Sequence, residues 1–422
     1  MDLEQKMRVL WFSPTPSLVA ISENGNPGGG WIHSLEQLVS NTKQIDLGIA
    51  FFNEIDKVIK TKINDNTYYQ IPFEKRSIRR FVNRHLGKID TSNDTKYLLE
   101  VVEDFKPDLI QIFGTEGSFG QLIPFIKTPC VIHIQGNYTV FSHKWFNSGL
   151  SNANVLFNSK FNTLLKANGL FHNYFHFLSM AQREQKILKA ARFVMGRTNW
   201  DRRVTKILAG NAVYFHCDEV LRDEFYKTTW KAQPLDLPLQ FLTTVQANVY
   251  KGLDTIIDTA RLLKSHSAKP FVWKIAGLSP YDEMVKLWER KYKTKLEDLG
   301  IVLLGRVNSG ELISQMLTSH LFIHPSHIDN SPNSVCEAMI IGMPLISTSS
   351  GGTGSLLDDE KEGVLVQDGD PYVLAGAIVS VFENYDKAVT YGLNAKERAS
   401  KRHDRKTILN QLLSVYNHML NN

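Results

Sequence analysis

The stretch of sequence that decides the fold runs from residue 321 to residue 371 and reads LFIHPSHIDNSPNSVCEAMIIGMPLISTSSGGTGSLLDDEKEGVLVQDGDP. Its pattern predicts a short apolar strand, a polar loop, a helix, a second strand and a glycine loop. Ser331 is predicted to cap the helix, with Pro332 at the first helical position, where a missing N–H loses no hydrogen bond. Gly342 then ends the helix and Pro344 prevents its continuation.

Two carboxylates lie eight positions apart across the start of this helix, Asp329 in the loop and Glu337 in the second turn. The side chain of Glu337 should lean back toward the helix N-terminus, whose free N–H groups and partial positive charge favour a phosphate. A carboxylate beside a phosphate suits the neighbouring hydroxyls of a ribose, because both of its oxygens accept hydrogen bonds. The pattern therefore predicts a nucleotide-sugar site.

The same stretch resembles the donor-binding signature of the retaining glycosyltransferases of family four, which have the fold called GT-B. In that family a Glu-x7-Glu element precedes Ala-Met, Gly-x-Pro, a strand and a Gly-Gly loop. The sequence matches it in order and spacing with Glu337-Ala338-Met339, Gly342-Met343-Pro344 and Gly351-Gly352. Asp329 stands where the first Glu usually is and keeps its charge on a shorter side chain.

The bulk properties are those of a globular protein of about two domains, since 422 residues exceed the usual size of one domain. The net charge of +5 is mild and does not indicate a nucleic-acid partner. Three cysteines without metal-ligand spacing, Cys130, Cys217 and Cys336, indicate reduced core thiols. With neither a signal peptide nor an apolar run of about 20 residues, the sequence predicts a cytoplasmic location.

Apolar runs bounded by Pro or Gly alternate with helical patterns through both halves of the chain, which predicts parallel sheets covered on both faces. The runs are residues 8–13, 46–52, 107–113, 129–134, 192–195, 212–215, 239–245, 270–276, 301–304, 321–324 and 345–348. We therefore expect an α/β protein of two Rossmann-like domains facing across a cleft, as the resemblance to GT-B implies. The predicted boundaries are 1–216 with 404–422 for the acceptor domain, 217–238 for a connection and 239–403 for the nucleotide-sugar domain. The final helix, residues 405–420, should cross back to the first domain.

Residues that suit a diphosphate follow the first strand of each predicted domain. Lys251 opens a helix after the strand at residues 239–245, and a cation there adds to the pull of the helix N-terminus on phosphate. The resemblance implies that Lys251 contacts the donor diphosphate, while Gln246 stands where the family has an assisting Arg. In the first half, Gly29 and Gly30 precede an amphipathic helix and would let the backbone approach the phosphates closely.

The base and the sugar ring of the donor are placed by the resemblance. It implies that the base rests against backbone at Arg306 and Val307, although Arg306 is equally consistent with an exposed charge. It implies also that the sugar ring is held by Asp329 together with the residues of the helix start, which are Ser331, Pro332, Asn333 and Ser334.

The expected reacting centre of the first half includes Gln135, where many relatives have a His directed at the sugar. Gln135 cannot act as a general base, but the retaining transfer is thought to rely on positioning, with the leaving phosphate taking the acceptor proton. His133 lies on the same strand face and is predicted to be a core residue. Arg197 would bind donor phosphate or acceptor, and Glu219 is predicted to pair with Arg222 at helical spacing.

The segment of residues 74–88, EKRSIRRFVNRHLGK, carries a local charge of +5 and has apolar residues at helical spacing. A basic amphipathic helix suits an anionic membrane at the inner face of the cell or a phospholipid-linked acceptor, and a solvated basic face is the alternative.

The leading prediction is a metal-independent retaining glycosyltransferase without a cofactor, using a nucleoside-diphosphate sugar as co-substrate and a glycan or lipid-linked acceptor. Three alternatives remain at this point. A non-catalytic GT-B scaffold of a polysaccharide assembly complex would explain Gln135 and Gln246, and a nucleotide-sugar epimerase has a related fold. An NAD-dependent oxidoreductase is disfavoured because Gly352-Thr353-Gly354 lacks the third glycine of the dinucleotide motif. The base, the sugar and the acceptor stay open.

Overall fold

The structure is a computed structural model that describes residues 6–17, 30–73, 78–89, 93–146, 149–158, 166–167, 169–266 and 269–422. Its strands are β1 (Met7–Phe12), β2 (Ile45–Asn53), β3 (Ile59–Ile63), β4 (Asn66–Pro72), β5 (Leu109–Phe113), β6 (Cys130–His133), β7 (Phe193–Gly196), β8 (Val213–His216), β9 (Leu239–Thr244), β10 (Phe271–Ala276), β11 (Ile301–Gly305), β12 (Leu321–His324), β13 (Leu345–Thr348) and β14 (Val364–Val366). They form two sheets, one of eight strands and one of six.

Helices alternate with these strands as the apolar pattern predicts. They are α1 (Gly30–Ser40), α2 (Ile78–His85), α3 (Asp94–Phe105), α4 (Tyr138–Phe141), α5 (Asn152–Asn158), α6 (Leu170–Ala190), α7 (Asn199–Leu208), α8 (Asp223–Tyr226), α9 (Leu253–Ser265), α10 (Glu283–Tyr292), α11 (Ser309–Leu317), α12 (Asn333–Ile341), α13 (Pro371–Glu383), α14 (Tyr385–Arg402) and α15 (Arg405–Leu420). None of the helices that the structure describes combines the length and apolar character needed to cross a membrane.

The chain divides into two compact units, each built on one sheet. The first contains residues 1–139, 175–220 and 403–422, and the second contains residues 140–174 and 221–402. The predicted α/β class with two Rossmann-like sheets is thus confirmed, and all eleven predicted strands are present. The unit boundaries differ from the predicted ones at residues 140–174, which belong to the second unit.

Aromatic burial explains why part of segment 140–174 belongs to the second unit. Phe141 and Trp145 pack on Tyr250, with ring centroids 5.4 and 6.0 Å apart. Lys144 forms an ion pair with Asp368, with 3.0 Å between Nζ and Oδ2. Aromatic rings bury much apolar surface and dominate such contacts, and no local sequence pattern reveals a partner more than 100 positions away.

The sheet of the first unit has the order β3-β4-β2-β1-β5-β6-β7-β8, and every pair is parallel except the edge pair β3 and β4. That edge hairpin was not predicted. Its signal is the two-residue connection Asn64-Asp65, in which Asn64 adopts a φ of 53°, as tight hairpin turns require.

Helix α15 completes the core of the first unit. Its buried face packs into the same apolar cluster as β1 and β5, through Ile408, Leu412, Val415, Tyr416 and Met419. The hydroxyl of Tyr416 donates to Gln111 Oε1 at 2.5 Å and accepts from Trp11 Nε1 at 2.9 Å. These two bonds satisfy polar atoms that burial would otherwise leave unpaired.

The sheet of the second unit is entirely parallel, with the order β11-β10-β9-β12-β13-β14. Numbered within the unit this is the order 3-2-1-4-5-6, in which the chain reverses direction across the sheet between β9 and β12. Ligands of such sheets bind beyond the carboxyl ends of the strands at this reversal. A ligand of this sheet is therefore expected at the loops that follow β9 and β12.

Candidate functional site

The loop after β9 places Lys251 at the carboxyl edge of the second sheet. A short 3-10 turn, Val249–Lys251, leads to Gly252, which has a φ of 81° and precedes α9. A side chain at position 252 would overlap the carbonyl oxygen of Pro325 in the loop after β12, so only glycine fits. No side chain caps the start of α9 in the described chain, which leaves its first N–H groups available to an anion.

Lys251 meets Asp329 beyond the ends of these two strands. Its Nζ lies 2.5 Å from Oδ2 of Asp329, and Nε2 of His324 lies 3.5 Å from the same oxygen. Burial raises the pKa of Asp329, but Lys251 and His324 outweigh that effect and hold this pKa below its usual value. Burial lowers the pKa of His324 to about 4, so the imidazole is neutral at pH 7. The site thus contains a fixed, ionised carboxylate beside a cation.

The glycine loop after β13 supports the backbone of Asp329. A side chain at Gly351, which has a φ of 61°, would overlap the carbonyl oxygen of Asp329. The N–H of Gly352 donates to that oxygen at 2.8 Å. Gly351 and Gly352 of the sequence pattern therefore allow the backbones of two loops to come into contact at Asp329.

Helix α12 begins at Asn333, one residue later than predicted, with Pro332 in the capping position and no capping side chain. The prediction that Ser331 caps the helix is therefore wrong. Ser331 lies buried with its hydroxyl 3.9 Å from Cys336 Sγ, and Ser334 is half-buried. The amide oxygen of Asn333 is buried and accepts no hydrogen bond within the described chain.

Glu337 lies in the second turn of α12, as predicted, and is buried against Arg222. The guanidinium donates from Nε to Oε1 and from Nη2 to Oε2, both at 2.7 Å. Burial raises the pKa of Glu337 above its usual value, although Arg222 acts in the opposite direction. The predicted pairing of Arg222 with Glu219 is wrong, because residues 217–222 are not helical and the spacing argument fails.

The other predicted donor residues lie at the same edge of the second sheet with few contacts. Gln246 is exposed directly after β9, and its carbonyl accepts from the N–H of Asn248 at 2.7 Å. Arg306 is exposed and Val307 half-buried after β11. Gly305 has a φ of 70°, and a Cβ there would face open space. These positions remain predictions as contacts of a nucleotide.

A network of charged groups that the sequence did not reveal includes His327, which lies in the same loop as Asp329. Nε2 of His327 lies 3.0 Å from both carboxylate oxygens of Asp254, at the start of α9. Its Nδ1 lies 3.8 Å from Asp368, which Lys144 also pairs. Burial lowers the pKa of His327, but the two aspartates overcome this and raise it to about 9. These four residues come from four separate stretches, so no motif joins them.

In the first unit, the half-buried Gln135 and the buried Arg197 belong to one hydrogen-bonded network at the carboxyl edge of the sheet. Gln135 Oε1 accepts from Trp31 Nε1 at 2.9 Å, and its carbonyl accepts from Arg197 Nη2 at 3.0 Å. Nη1 of Arg197 lies 3.7 Å from Oε2 of Glu219. His133 is fully buried, and burial together with Arg197 lowers its pKa to about 3, as suits the predicted core residue.

Two further residues complete this part of the first unit. Gly30 begins α1 with a φ of 49°, whereas Gly29 lies outside the described residues. Glu116 was missed by the sequence reasoning, because a lone Glu after a strand carries no motif. Its Oε1 accepts from the N–H of Gly136 at 3.2 Å, its Oε2 is buried without a partner in the described chain, and burial raises its pKa to about 7.

Residues 231–398, which carry Lys251, Asp329 and Glu337, match the family model described as Glycosyl transferases group 1. This part of the chain is a group 1 glycosyltransferase domain. Curated relatives match over the same extent. The glycosyltransferase of Salmonella typhimurium that is assigned to colanic acid biosynthesis and named WcaL is 26% identical over 186 residues, which are 42% of this chain and 45% of that protein.

Further relatives of the group 1 domain carry names from polysaccharide biosynthesis. The amylovoran biosynthesis glycosyltransferase AmsK of Erwinia amylovora is 24% identical over 187 residues, 43% of this chain and 45% of that protein. The capsular polysaccharide biosynthesis glycosyltransferase CapM of Staphylococcus aureus is 23% identical over 170 residues, 40% of this chain and 43% of that protein. The chain thus spans less than half the length of the curated relatives it matches.

Solved structures match the group 1 domain and the first unit together. Sucrose-phosphate synthase from Thermosynechococcus elongatus superposes with a TM-score of 0.70 and 13% identity, covering 98% of this chain and 99% of that one. Alr3699/HepE of Anabaena in complex with UDP-glucose has a TM-score of 0.63 and 15% identity, covering 98% and 100%. At such low identity these likenesses show the fold alone, which is that of the GT-B glycosyltransferases.

Proposed function

We propose that the chain is a retaining, metal-independent glycosyltransferase that moves a sugar from a nucleoside-diphosphate sugar to a glycan or lipid-linked acceptor in bacterial polysaccharide assembly. The observation that carries this proposal is the ion pair of Lys251 and Asp329 at the strand reversal of the second sheet. The names of the relatives WcaL, AmsK and CapM support the polysaccharide role. The UDP-glucose complex of HepE supports a nucleotide-sugar donor.

Each donor group has a proposed partner in the second unit. Lys251 and the uncapped start of α9 would hold the diphosphate, because a cation and free N–H groups both attract phosphate oxygens. Glu337 would accept hydrogen bonds from the ribose hydroxyls. Asp329 and the uncommitted amide oxygen of Asn333 would hold the sugar ring. In the first unit, Gln135 and Arg197 would line the acceptor side.

The proposed reaction breaks the bond between the anomeric carbon and the oxygen of the leaving diphosphate. The acceptor hydroxyl forms the new bond on the same face of the sugar, and its proton passes to the leaving phosphate oxygen. Negative charge grows on the diphosphate in this step, so Lys251 is placed to stabilise the transition state. The bond that breaks, the bond that forms and the proton transfer are all accounted for by the two substrates, so the proposed reaction requires no cofactor. The nucleotide sugar is a co-substrate.

The test is a thermal-shift panel of UDP, GDP, ADP and their sugar conjugates, without added metal, on the wild type and on Glu337→Ala. A ligand at 100 times its Kd stabilises the native state by about 2.7 kcal/mol, which raises the Tm by several degrees. We expect one nucleotide to shift the wild type and Glu337→Ala to lose the shift. The exposed variant Glu297→Ala is the matched control and should keep it.

Two outcomes of this panel contradict the proposal. The absence of a shift with every nucleotide would favour a non-catalytic scaffold. A shift that Glu337→Ala retains in full would place the nucleotide elsewhere.

Where a donor is found, the anomeric configuration of the product, read by NMR, tests retention. Activity that survives EDTA supports the metal-independent mechanism, and activity that EDTA abolishes contradicts it.

We also propose that α2 brings the protein to an anionic membrane at the inner face of the cell. Phe81 and Val82 of α2 and Leu86, one residue beyond its end, are 53%, 48% and 61% exposed and lie close together in the sequence. Arg84 and Lys88 lie among them in a segment with a local charge of +5. Exposed apolar side chains flanked by basic ones favour insertion at an anionic lipid surface.

The membrane proposal is tested by co-sedimentation with vesicles of phosphatidylglycerol mixed with phosphatidylcholine. We expect binding that falls at high salt, and at least a tenfold loss in the double variant Phe81→Ser/Leu86→Ser, since each buried apolar side chain contributes about 1.5 kcal/mol or more. Ile207→Ser is the matched control, because Ile207 is 82% exposed on another helix of the same unit. Equal sedimentation of all three proteins would favour a merely solvated basic face.

A further inference from the structure

Arg222 is the partner of Glu337, and the geometry of this pair is unusually well defined. The residue lies just before α8, in the connection that precedes β9, and 115 positions separate it from Glu337. Besides its two bonds to the carboxylate, its Nη1 donates to Ser309 Oγ at 2.9 Å. Its guanidinium also lies over the ring of Phe225, with 4.7 Å between Cζ and the ring centroid. Three hydrogen bonds and one ring contact therefore restrain the guanidinium.

A carboxylate in this arrangement keeps half of its hydrogen-bonding capacity. Each oxygen of Glu337 accepts one bond from Arg222, while a carboxylate offers about four lone-pair positions in all. One lone pair on each oxygen is thus left for another donor. The two neighbouring hydroxyls of a ribose supply two such donors in matching positions.

The charges around the pair explain why Glu337 needs Arg222. Glu337 is buried, and burial is the main influence that disfavours its ionised form. Glu224, two positions after Arg222, adds a second negative charge that acts in the same direction. Arg222 is the group that favours ionisation, and it is itself three-quarters buried at the side chain. Without it, the carboxylate would become a neutral acid with fewer accepting positions.

We propose that Arg222 is a positioning residue that fixes the Glu337 carboxylate for the two ribose hydroxyls, and that it thereby makes the site select ribonucleotides over 2′-deoxyribonucleotides. This inference rests on the proposed nucleotide-sugar function and assigns a role to a residue outside the family's sequence pattern. Arg222 acts through Glu337 and need not touch the nucleotide.

The experiment measures the Kd of UDP, GDP and ADP and of their 2′-deoxy forms by calorimetry at pH 7.5. The proteins are the full-length wild type, Arg222→Met and Arg222→Lys. We expect the wild type to prefer the ribonucleotide about tenfold or more, as charge-assisted hydrogen bonds give. Arg222→Met should lose that preference by weakening the ribonucleotide and leaving the deoxy form nearly unchanged. Arg222→Lys, with one ion pair in place of two bonds, should fall between them.

A pH series separates this role from a general structural one. In Arg222→Met the pKa of Glu337 should rise further, so the affinity for the ribonucleotide, measured from pH 8 down to pH 5.5, should fall more steeply than that of the wild type. The wild type, whose carboxylate keeps its cation, should change less over that range. Arg261→Met is the matched control, because Arg261 donates to the carbonyl of Tyr292 at 2.9 Å and packs on that ring. It should keep both the preference and the pH profile of the wild type.

Several results would overturn the role of Arg222 while leaving the proposed function intact. These are a wild type that binds ribonucleotide and deoxyribonucleotide equally, an Arg222→Met that keeps the preference, and an Arg222→Met that binds either form more tightly. A wild type that binds none of the six nucleotides would overturn the proposed function and this inference together. Circular dichroism on every variant confirms that the comparison is made between folded proteins.

Discussion

Lys251→Met is expected to lower the rate of sugar transfer by at least about 100-fold and to weaken binding of the nucleoside diphosphate. Two physical effects act together. The variant removes the cation that we propose stabilises charge on the leaving diphosphate, and such a loss typically costs about 3 kcal/mol or more. It also leaves the half-buried Asp329 without the ion pair that holds its pKa below the usual range, and an unpaired charge that is largely removed from water is unfavourable.

The measurement is kcat and KM with the donor found in the thermal-shift panel. Lys251→Arg should recover part of the rate, because it restores the charge with a different shape. Lys264→Met is the matched control: Lys264 is exposed in the same unit and donates to the carbonyl of Asp298 at 2.6 Å. A loss of less than tenfold in Lys251→Met, with normal folding, would mean that another group neutralises the diphosphate.

The donor half of the site was predictable because its residues are close in sequence and its elements have strong local signals. Strands β12 and β13 have the predicted bounds, since each is a short apolar run ended by polar or Gly and Pro residues. Glu337 falls in the predicted turn of the helix. The error at Ser331 is a shift of one residue at a helix end, where sequence signals are weakest.

The partners of these residues were not predictable, because each pairing joins distant parts of the chain. Arg222 has a nearby acid, Glu219, and the local rule for helical pairs favoured it. This prediction was wrong because that stretch is not helical, and the guanidinium of Arg222 instead donates to the buried Glu337. The same limit hid the contacts of His327. Rules based on spacing consider only residues that are close in sequence, so they cannot predict an ion pair with a carboxylate that is distant in sequence and close only in the folded protein.

Gln135 shows a different limit. The sequence predicted that Gln135 ends a strand, whereas β6 ends at His133 and Gln135 lies in the loop that follows. Its inability to act as a base was also predicted, but the partner of its side-chain amide was not. Trp31 Nε1 donates to its side chain, and Arg197 donates to its carbonyl. Gln135 is therefore fixed within a network of the first unit. Its expected role at the reacting sugar stays a prediction.

Gly351→Ala is expected to destabilise the group 1 domain by about 2–5 kcal/mol and to reduce transfer by roughly 100-fold. The φ of 61° at this position costs a residue with a Cβ about 1–2 kcal/mol. In addition, the new methyl group would overlap the carbonyl oxygen of Asp329, and relieving such an overlap typically costs 1–3 kcal/mol more. The strain is relieved only if the loop of Asp329 moves, and a displacement of about 1 Å at a reacting group costs about 100-fold in rate.

The same loop provides the control. Gly354, three residues later, has room for a methyl group, with Ser349 O at 3.6 Å as the nearest atom, and its φ is not positive. Gly354→Ala should therefore keep both the Tm and the transfer rate within small changes. The measurements are thermal unfolding and kcat of both variants. If the backbone contact between Gly351 and Asp329 positions the carboxylate, Gly351→Ala lowers both the Tm and kcat, whereas Gly354→Ala changes neither. If both variants behave alike, the glycine loop does not hold Asp329, and the requirement for glycine there has another cause.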